Sequence, residues 1–225
     1  MKRGLKIAID GPAASGKSTT AKLLADKLGY LYIDTGAMYR ALTLAVINHG
    51  IKIDDKKAII ELTKRIKIDL CMKEDGIHTY LNGDDVSQSI RLPMISEKIS
   101  YISAYPEVRK VMVAKQRYLA RYGGIVMEGR DIGTVVLPDA EIKIYMAATL
   151  EQRALRRFKE LKEKNVQIQM EQIKEEIKQR DHIDSSRSSS PLKAAPDAHI
   201  IDTTNLSIEQ QVEKIIEIVK NEYLI

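Results

Sequence analysis

The sequence predicts an α/β protein built around a central parallel sheet, and three stretches carry that prediction. LKIAID (residues 5–10) is a short apolar run that reads as a buried strand. It ends at a glycine-rich turn, and AKLLADKLG (21–29) follows with helical spacing and a terminal glycine as a stop signal. IVM (125–127) and EIKIYMAA (141–148) read as further strands, the second leading into a charged helical stretch, TLEQRALRRFKELKEK (149–164).

The bulk numbers agree with a globular chain. Its 225 residues suit one α/β domain with an insertion or two small domains, and a single domain over 1–225 is the expectation. A hydrophobic share of 44% beside a charged share of 30% is ordinary for a soluble protein. The net charge of +5 favours anionic partners mildly and falls short of a polybasic nucleic-acid binder. A single cysteine, Cys71, excludes an internal disulfide and reads as a small core or strand residue. No apolar run approaches the roughly 20 residues that span a bilayer. The start, MKRGLKIAIDG, has basic residues but no apolar leader region, so a cytoplasmic protein without membrane contact is expected. His49, His78, His182 and His199 are scattered without ligand spacing, so no transition-metal site is assigned.

After the first strand comes GPAASGKSTT (11–20), in which Gly11, Gly16, Lys17 and Ser18 fit G-x-x-x-x-G-K-[ST] without a gap. Strand, loop and helix in that order are the context this P-loop motif requires. Glycines let backbone N–H groups approach phosphates with no Cβ in the way, and the positive end of the next helix adds to the field. The loop residues Gly11, Pro12, Ala13, Ala14, Ser15, Gly16, Lys17, Ser18 and Thr19 are therefore expected to cradle a nucleoside triphosphate. Lys17 reaches the β- and γ-phosphates, and the Ser18 hydroxyl ligates Mg²⁺. Kinases, GTPases and ATPase motors share the motif, so it fixes no reaction by itself.

The remaining elements follow in order. YLYI (30–33) is a second short strand, and DTGAMYR (34–40) turns it into a helix with Thr35 at the turn and Arg40 in the first helical turn. An arginine there either clamps an oxyanion with its planar fork or is a surface charge. Residues 63–86 break the pattern. IKIDLCMK, IHTYL and DDVS read as three short strands separated by the turn signals EDG (74–76) and NGD (82–84), an antiparallel insert. A long helical stretch follows, broken at Pro106, with Arg109 in the next first turn; spacing alone does not rank Arg109 above Arg117. EGRDIG (128–133) sits where a strand leaves the core, the usual place for a ligand crevice in an α/β sheet, so Glu128, Arg130 and Asp131 are site candidates. Arg153, Arg156 and Arg157 cluster after the next strand, as a lid over triphosphate or as a basic helix face paired with Glu160. QRDHIDSSRSSSP (179–191) looks like a serine-rich linker, yet Arg180, Asp184 and Arg187 fall on one face if it is helical. DAHIIDTTN (197–205) reads as the last strand. Ser207 to Gln210 is a capping-box pattern opening an amphipathic helix, 208–225.

GPAASGKST, DTGAMYR, YPEVR, EGRDIGTVVLPDA and RDHIDSSR occur in the order found in bacterial cytidylate kinases, which belong to the nucleoside monophosphate kinases. The resemblance runs from about residue 4 to about 220. It implies the P-loop three-layer αβα fold with a central parallel sheet. The small antiparallel β subdomain (63–86) would then lie in an enlarged monophosphate-binding region (about 35–110), with a lid over about 150–180. It also implies transfer of phosphate from ATP, with Mg²⁺, to CMP and dCMP, by a monomer with no nucleic-acid partner.

The same resemblance implies a CMP pocket of Thr35, Arg40, Ser100, Arg109, Arg130, Asp131, Arg180, Asp184 and Arg187. Within it Arg40 and Arg130 take the acceptor phosphate. Asp131 and Arg109, with Arg187 and Thr35, read the base, and Ser100, Arg180 and Asp184 take the ribose. Lys17, Arg130, Arg153 and Arg157 are the expected catalytic residues. Two positions depart from the family pattern: Glu128 stands where many relatives carry Asp, and Thr35 where Ser is common. Two other readings stay open at this stage. One is a P-loop kinase acting on UMP, AMP or a non-nucleotide acceptor. The other is a nucleotide-gated, RNA-associated P-loop protein, disfavoured by 5% aromatic residues and no N-K-x-D motif.

Overall fold

A computed structural model describes residues 4–73, 76–163 and 166–223. The chain divides into two compact units. The first comprises Met1–Tyr32, Tyr122–Ser186 and Ser190–Ile225, and the second Ile33–Arg121 with Arg187–Ser189.

In the first unit a five-stranded sheet runs in the order β2-β6-β1-β7-β8, formed by β1 (Lys6–Asp10), β2 (Leu31–Asp34), β6 (Ile125–Gly129), β7 (Ile142–Ala147) and β8 (His199–Asp202). The chain passes into the second unit midway along β2. β1 is parallel to β6 on one side and to β7 on the other, and β7 is parallel to β8. Parallel strands covered on both faces read as unbroken apolar runs. Ile7, Ala8 and Ile9 of β1, Val126 and Met127 of β6, and Ile142 of β7 are fully buried accordingly. Helix α1 (Lys17–Leu28) lies against β6 and against α8 (Ile208–Tyr223). Ser207 and Gln210 cap α8 reciprocally: each backbone N–H donates to the other's side chain, at 2.9 and 3.3 Å. Helices α6 (Leu150–Glu163) and α7 (Met170–Ser186) share a small apolar contact of Ala154, Leu161, Ile173 and Ile177.

The second unit is helical around a small antiparallel sheet. Its elements are α2 (Thr35–Asn48), α3 (Lys56–Arg65), β3 (Ile68–Lys73), β4 (Gly76–Leu81), β5 (Asp84–Asp85), α4 (Pro93–Ala104) and α5 (Pro106–Leu119). Met38, Leu42, Val46, Ile59, Ile95, Ile102, Val108 and Met112 form its core. β3 and β5 both pair antiparallel with β4. Asn82 and Gly83 turn β4 into β5 at φ 53° and 98°. The Asn82 side-chain oxygen fixes that turn by accepting from the Lys67 N–H at 2.8 Å.

Three local expectations change. The insert begins later than residue 63, because Thr63, Lys64 and Arg65 close α3, a helix the period-2 reading of the insert concealed. Cys71 is a strand residue but an exposed one, not core. Helix α7 stops at Ser186, so Arg187 lies beyond the helical face it was expected to share with Arg180 and Asp184. Directly after Asp131, the segment IGTVV (Ile132–Val136) forms one π-helical turn. Glu74 and Asp75 of the expected EDG turn lie outside the described residues. So do Met1, Lys2 and Arg3, Lys164 and Asn165 of the lid range, and the last two residues of the C-terminal helix.

Candidate active site

The P-loop leaves the C-terminal end of β1 and enters α1. A Cβ on Gly11 would sit 2.4 Å from the Met146 carbonyl oxygen, so only glycine fits where the loop passes β7. Gly16 adopts φ 95° at the N-cap of α1, and Ala14 sits at φ 58°, an uncommon conformation for a residue with a side chain. Lys17 is 7% exposed and its Nζ donates to the Pro12 carbonyl at 2.9 Å. The Ser15 Oγ is buried and has no hydrogen-bond partner, while Ser18 and Thr19 are exposed in the first helical turn.

Two arginines of α6 fasten this loop from behind. Arg153 donates from Nη1 to the Ala13 carbonyl at 3.3 Å and to Asp181 Oδ2 at 2.6 Å, and from Nε to the Ala148 carbonyl at 3.2 Å. Arg156 donates from Nη1 to the Ser15 carbonyl at 3.1 Å and to Thr203 Oγ1 at 3.2 Å. The Thr203 hydroxyl donates to the same Ser15 carbonyl at 2.8 Å. Thr20 Oγ1 donates to Gln211 Oε1 at 2.6 Å, tying the first turns of α1 and α8. Arg157, expected in the catalytic set, points to a half-exposed pair with Glu160 at 2.7 Å.

The register of β1 on β6 sets the next group. Asp10 is the Cα partner of Gly129, so the P-loop and the residues from Arg130 onward leave neighbouring strand ends. Arg130 donates from Nε to Asp184 Oδ2 at 2.8 Å, with side chains only 16% and 6% exposed. Arg180 Nε stands 4.0 Å from the same oxygen, so two of the expected pocket cations share one carboxylate. Burial opposes the charge on Arg130, but Asp184 outweighs it and raises the pKa above the ordinary value. Asp131 is buried at the start of the π-helical turn, where its carbonyl accepts from the Val135 and Val136 N–H groups at 2.9 and 3.1 Å. Glu128 is 2% exposed and accepts from the Tyr32 hydroxyl at 2.7 Å.

In the second unit Asp34 caps α2: Oδ1 accepts from the Ala37 N–H at 2.8 Å, and Oδ2 from Arg40 Nη2 at 2.8 Å. The Arg40 Nε is buried with no hydrogen-bond partner. Thr35 is buried in the same turn. Arg109 is 3% exposed, donates to the Ser103 carbonyl at 3.2 Å, and lies over the Tyr39 ring at 5.5 Å. Ser100 is buried one turn before Ser103, whose hydroxyl donates to the Ser100 carbonyl. Arg117, which spacing did not separate from Arg109, is exposed.

Three carboxylates and one arginine of these networks were not singled out as site residues from the sequence. Asp34 carries a legible signal, an Asp directly before a helix. Asp181 adjoins Arg180 in the RD pair. Arg156 lies in the same arginine cluster as Arg153 and Arg157. Asp10 is the charge that ends an otherwise apolar strand.

A parallel sheet whose middle strand runs into a glycine loop, with Lys17 and Ser18 opening the next helix, defines the P-loop nucleotide-binding class; the planar guanidinium groups buried about the strand ends have the geometry that suits oxyanions. Among solved structures, an uncharacterized protein from Eubacterium ventriosum superposes with a TM-score of 0.52 at 12% identity, over 96% of this chain and 98% of that one, a likeness of fold alone. The family model for cytidylate kinase matches residues 7–221. A cytidylate kinase of Caldanaerobacter subterraneus is 51% identical over 216 residues, 96% of this chain and 95% of that protein. One from a Geobacillus species is 51% identical over 219 residues, 97% and 98% of the two chains. The chain belongs to the cytidylate kinase family.

Proposed function

We propose that the chain transfers the γ-phosphoryl group of ATP to CMP, and to dCMP, giving ADP and CDP or dCDP. The observation that carries this reading is the Asp10–Gly129 register, which starts the P-loop and the Arg130 turn from adjacent strand ends. Family membership supports CMP as the acceptor.

Phosphoryl transfer asks the protein mainly for in-line positioning and charge neutralisation. Loop N–H groups and Lys17 take the donor phosphates. The exposed Ser18 hydroxyl is a hard oxygen donor, which suits Mg²⁺ completed by phosphate oxygens. Bound there, Mg²⁺ supplies charge neutralisation at the donor phosphates. Arg40 and Arg130 take the acceptor phosphate, each oriented by its own carboxylate, Asp34 or Asp184. Arg153 holds positive charge against the loop at Ala13, and Arg157 joins it when α6 and α7 close over the transferring group. No general base is required, because the acceptor phosphate is already an anionic nucleophile.

Base selection follows from hydrogen-bond polarity. Cytosine offers an N4 amino donor beside the N3 acceptor, and uracil reverses both. Asp131 accepting from N4 and Arg109 donating to N3, with Arg187 and Thr35 in support, favour cytosine by about 1–3 kcal/mol. Ser100, Arg180 and Asp184 hold the ribose. Incubation with ATP and CMP, followed by chromatographic separation, should yield CDP and ADP in equal amounts. Release of ADP and inorganic phosphate without CDP would overturn the reading.

A further inference from the structure

Asp10 is 4% exposed at the last position of β1, immediately before Gly11. Its carboxylate spans two successive N–H groups: Oδ1 accepts from Ile132 at 2.7 Å and Oδ2 from Gly133 at 2.8 Å. Those N–H groups open the π-helical turn Ile132–Val136, and first-turn donors of a helix have no partner within it. A cap normally comes from the residue just before a helix. Here it comes from 122 positions away in sequence, on the strand that launches the P-loop. The turn it caps begins directly after Arg130 and Asp131. At Gly133 an added Cβ would meet the Lys143 side chain at 3.3 Å and Asp10 Oδ2 at 3.5 Å, so the turn is closely seated on the carboxylate and on β7.

We propose that Asp10 is a positioning residue for phosphoryl transfer, locking the turn after β6 to the P-loop strand so that Arg130 and Asp131 keep a fixed place relative to Lys17. It touches neither nucleotide and acts through the two N–H groups. The inference rests on the reading of Arg130 and Asp131 as acceptor residues.

The clamp is also proton-sensitive. Burial pushes the Asp10 carboxyl up to about 7, against the two N–H bonds, which lower it; Asp131 adds to the rise and Arg130 opposes it. On β7, Tyr145 is the titratable group facing it, and Lys143 packs methylenes beside Gly133 while its Nζ is committed to the Pro138 carbonyl and Asp197. Ionised Asp10 accepts from both N–H groups. Protonated Asp10 presents an O–H toward one of them and loses half the clamp.

The test is Asp10→Asn, which keeps the shape but turns an amide N–H₂ toward one donor. With saturating ATP, kcat for CMP should fall about 10- to 100-fold at about pH 8, the scale of a misplaced reacting group. ATP affinity should stay within about twofold, because the loop N–H groups are intact. The ratio of wild-type to variant kcat should shrink toward about one as pH falls to about 5.5, where wild-type Asp10 is itself protonated. Comparing the two enzymes at each pH removes the titration of the CMP phosphate, which is common to both. A ratio that does not change with pH, or a variant as active as wild type, would overturn the proposal. If the variant does not fold, ¹⁵N spectra of the wild-type protein decide. The Ile132 and Gly133 amides should titrate together near pH 7, and two pH-independent amides would refute the clamp. Wild-type failure on CMP with transfer to another acceptor would instead sink the substrate reading, and the same comparison would then be run with that acceptor.

Discussion

Arg130 and Asp184, 54 positions apart in sequence, meet through a 2.8 Å Nε–Oδ2 hydrogen bond, with side chains 16% and 6% exposed. Removing one partner of such a pair leaves the other charge buried and unmatched, which costs about 3–5 kcal/mol where burial is complete. Asp184→Ala should therefore lower stability in urea melts by about 2–4 kcal/mol. It should also cut kcat/KM for CMP by about 100-fold while ATP binding holds, since Asp184 orients Arg130, the residue proposed to take the acceptor phosphate. An unchanged acceptor profile would remove Asp184 from the site.

Lys17→Ala tests the donor side. The Lys17 Nζ donates to the Pro12 carbonyl at 2.9 Å, a bond of the kind worth about 0.5–1.5 kcal/mol, so Lys17→Ala should lower stability only modestly. Transfer should drop by at least about 1,000-fold, as expected when a phosphate-neutralising charge is lost. Single-turnover measurement of CDP formation is the check; residual activity near wild type would contradict the P-loop assignment.

Arg156 links the Ser15 carbonyl, through Nη1, to the Thr203 carbonyl, through Nη2, a fork that lysine cannot reproduce. Arg156→Lys should raise KM for ATP by about 10-fold and leave KM for CMP unchanged. Steady-state kinetics with each substrate varied in turn separate the two. A rise in the CMP constant alone would place Arg156 with the acceptor instead.

Stability should depend on pH through Asp10. Its folded-state pKa, raised from 3.8 to about 7, means the folded protein keeps a proton that the unfolded chain releases between those values. The Asp10 contribution to stability therefore falls as pH rises from about 4 to about 7 and is flat above. Urea melts of wild type and Asp10→Asn at about pH 5 and about pH 8 should show wild type losing stability relative to the variant. Parallel pH dependence would contradict this.

Much of the fold was legible because its signals are local. The P-loop, the strand that feeds it and the capping box of α8 each lie within a few residues of one another, and the apolar runs of β1, β6 and β7 match a sheet covered on both faces. Helix α3 escaped the sequence reading because its last turn, Thr63–Arg65, abuts the alternating insert and blurs the boundary between the two periods. The end of α7 before Arg187 was not marked by a glycine or an adjacent proline, so spacing carried the helix one residue too far. In the candidate site, arginines stood out because a charge at a strand end is conspicuous. The carboxylates that aim them did not. Asp10 acts on Ile132 and Gly133 and Asp184 on Arg130 across long sequence separations; the β1–β6 register brings the first group together, and the placement of α7 the second.

The central claim is that this site selects CMP. A coupled ADP-release assay with CMP, UMP and AMP as acceptors at equal ATP tests it most directly. The account predicts kcat/KM for CMP above that for UMP by about 10-fold or more, the value of one well-matched base reading, with AMP lower still. Equal or better use of UMP or AMP would contradict it.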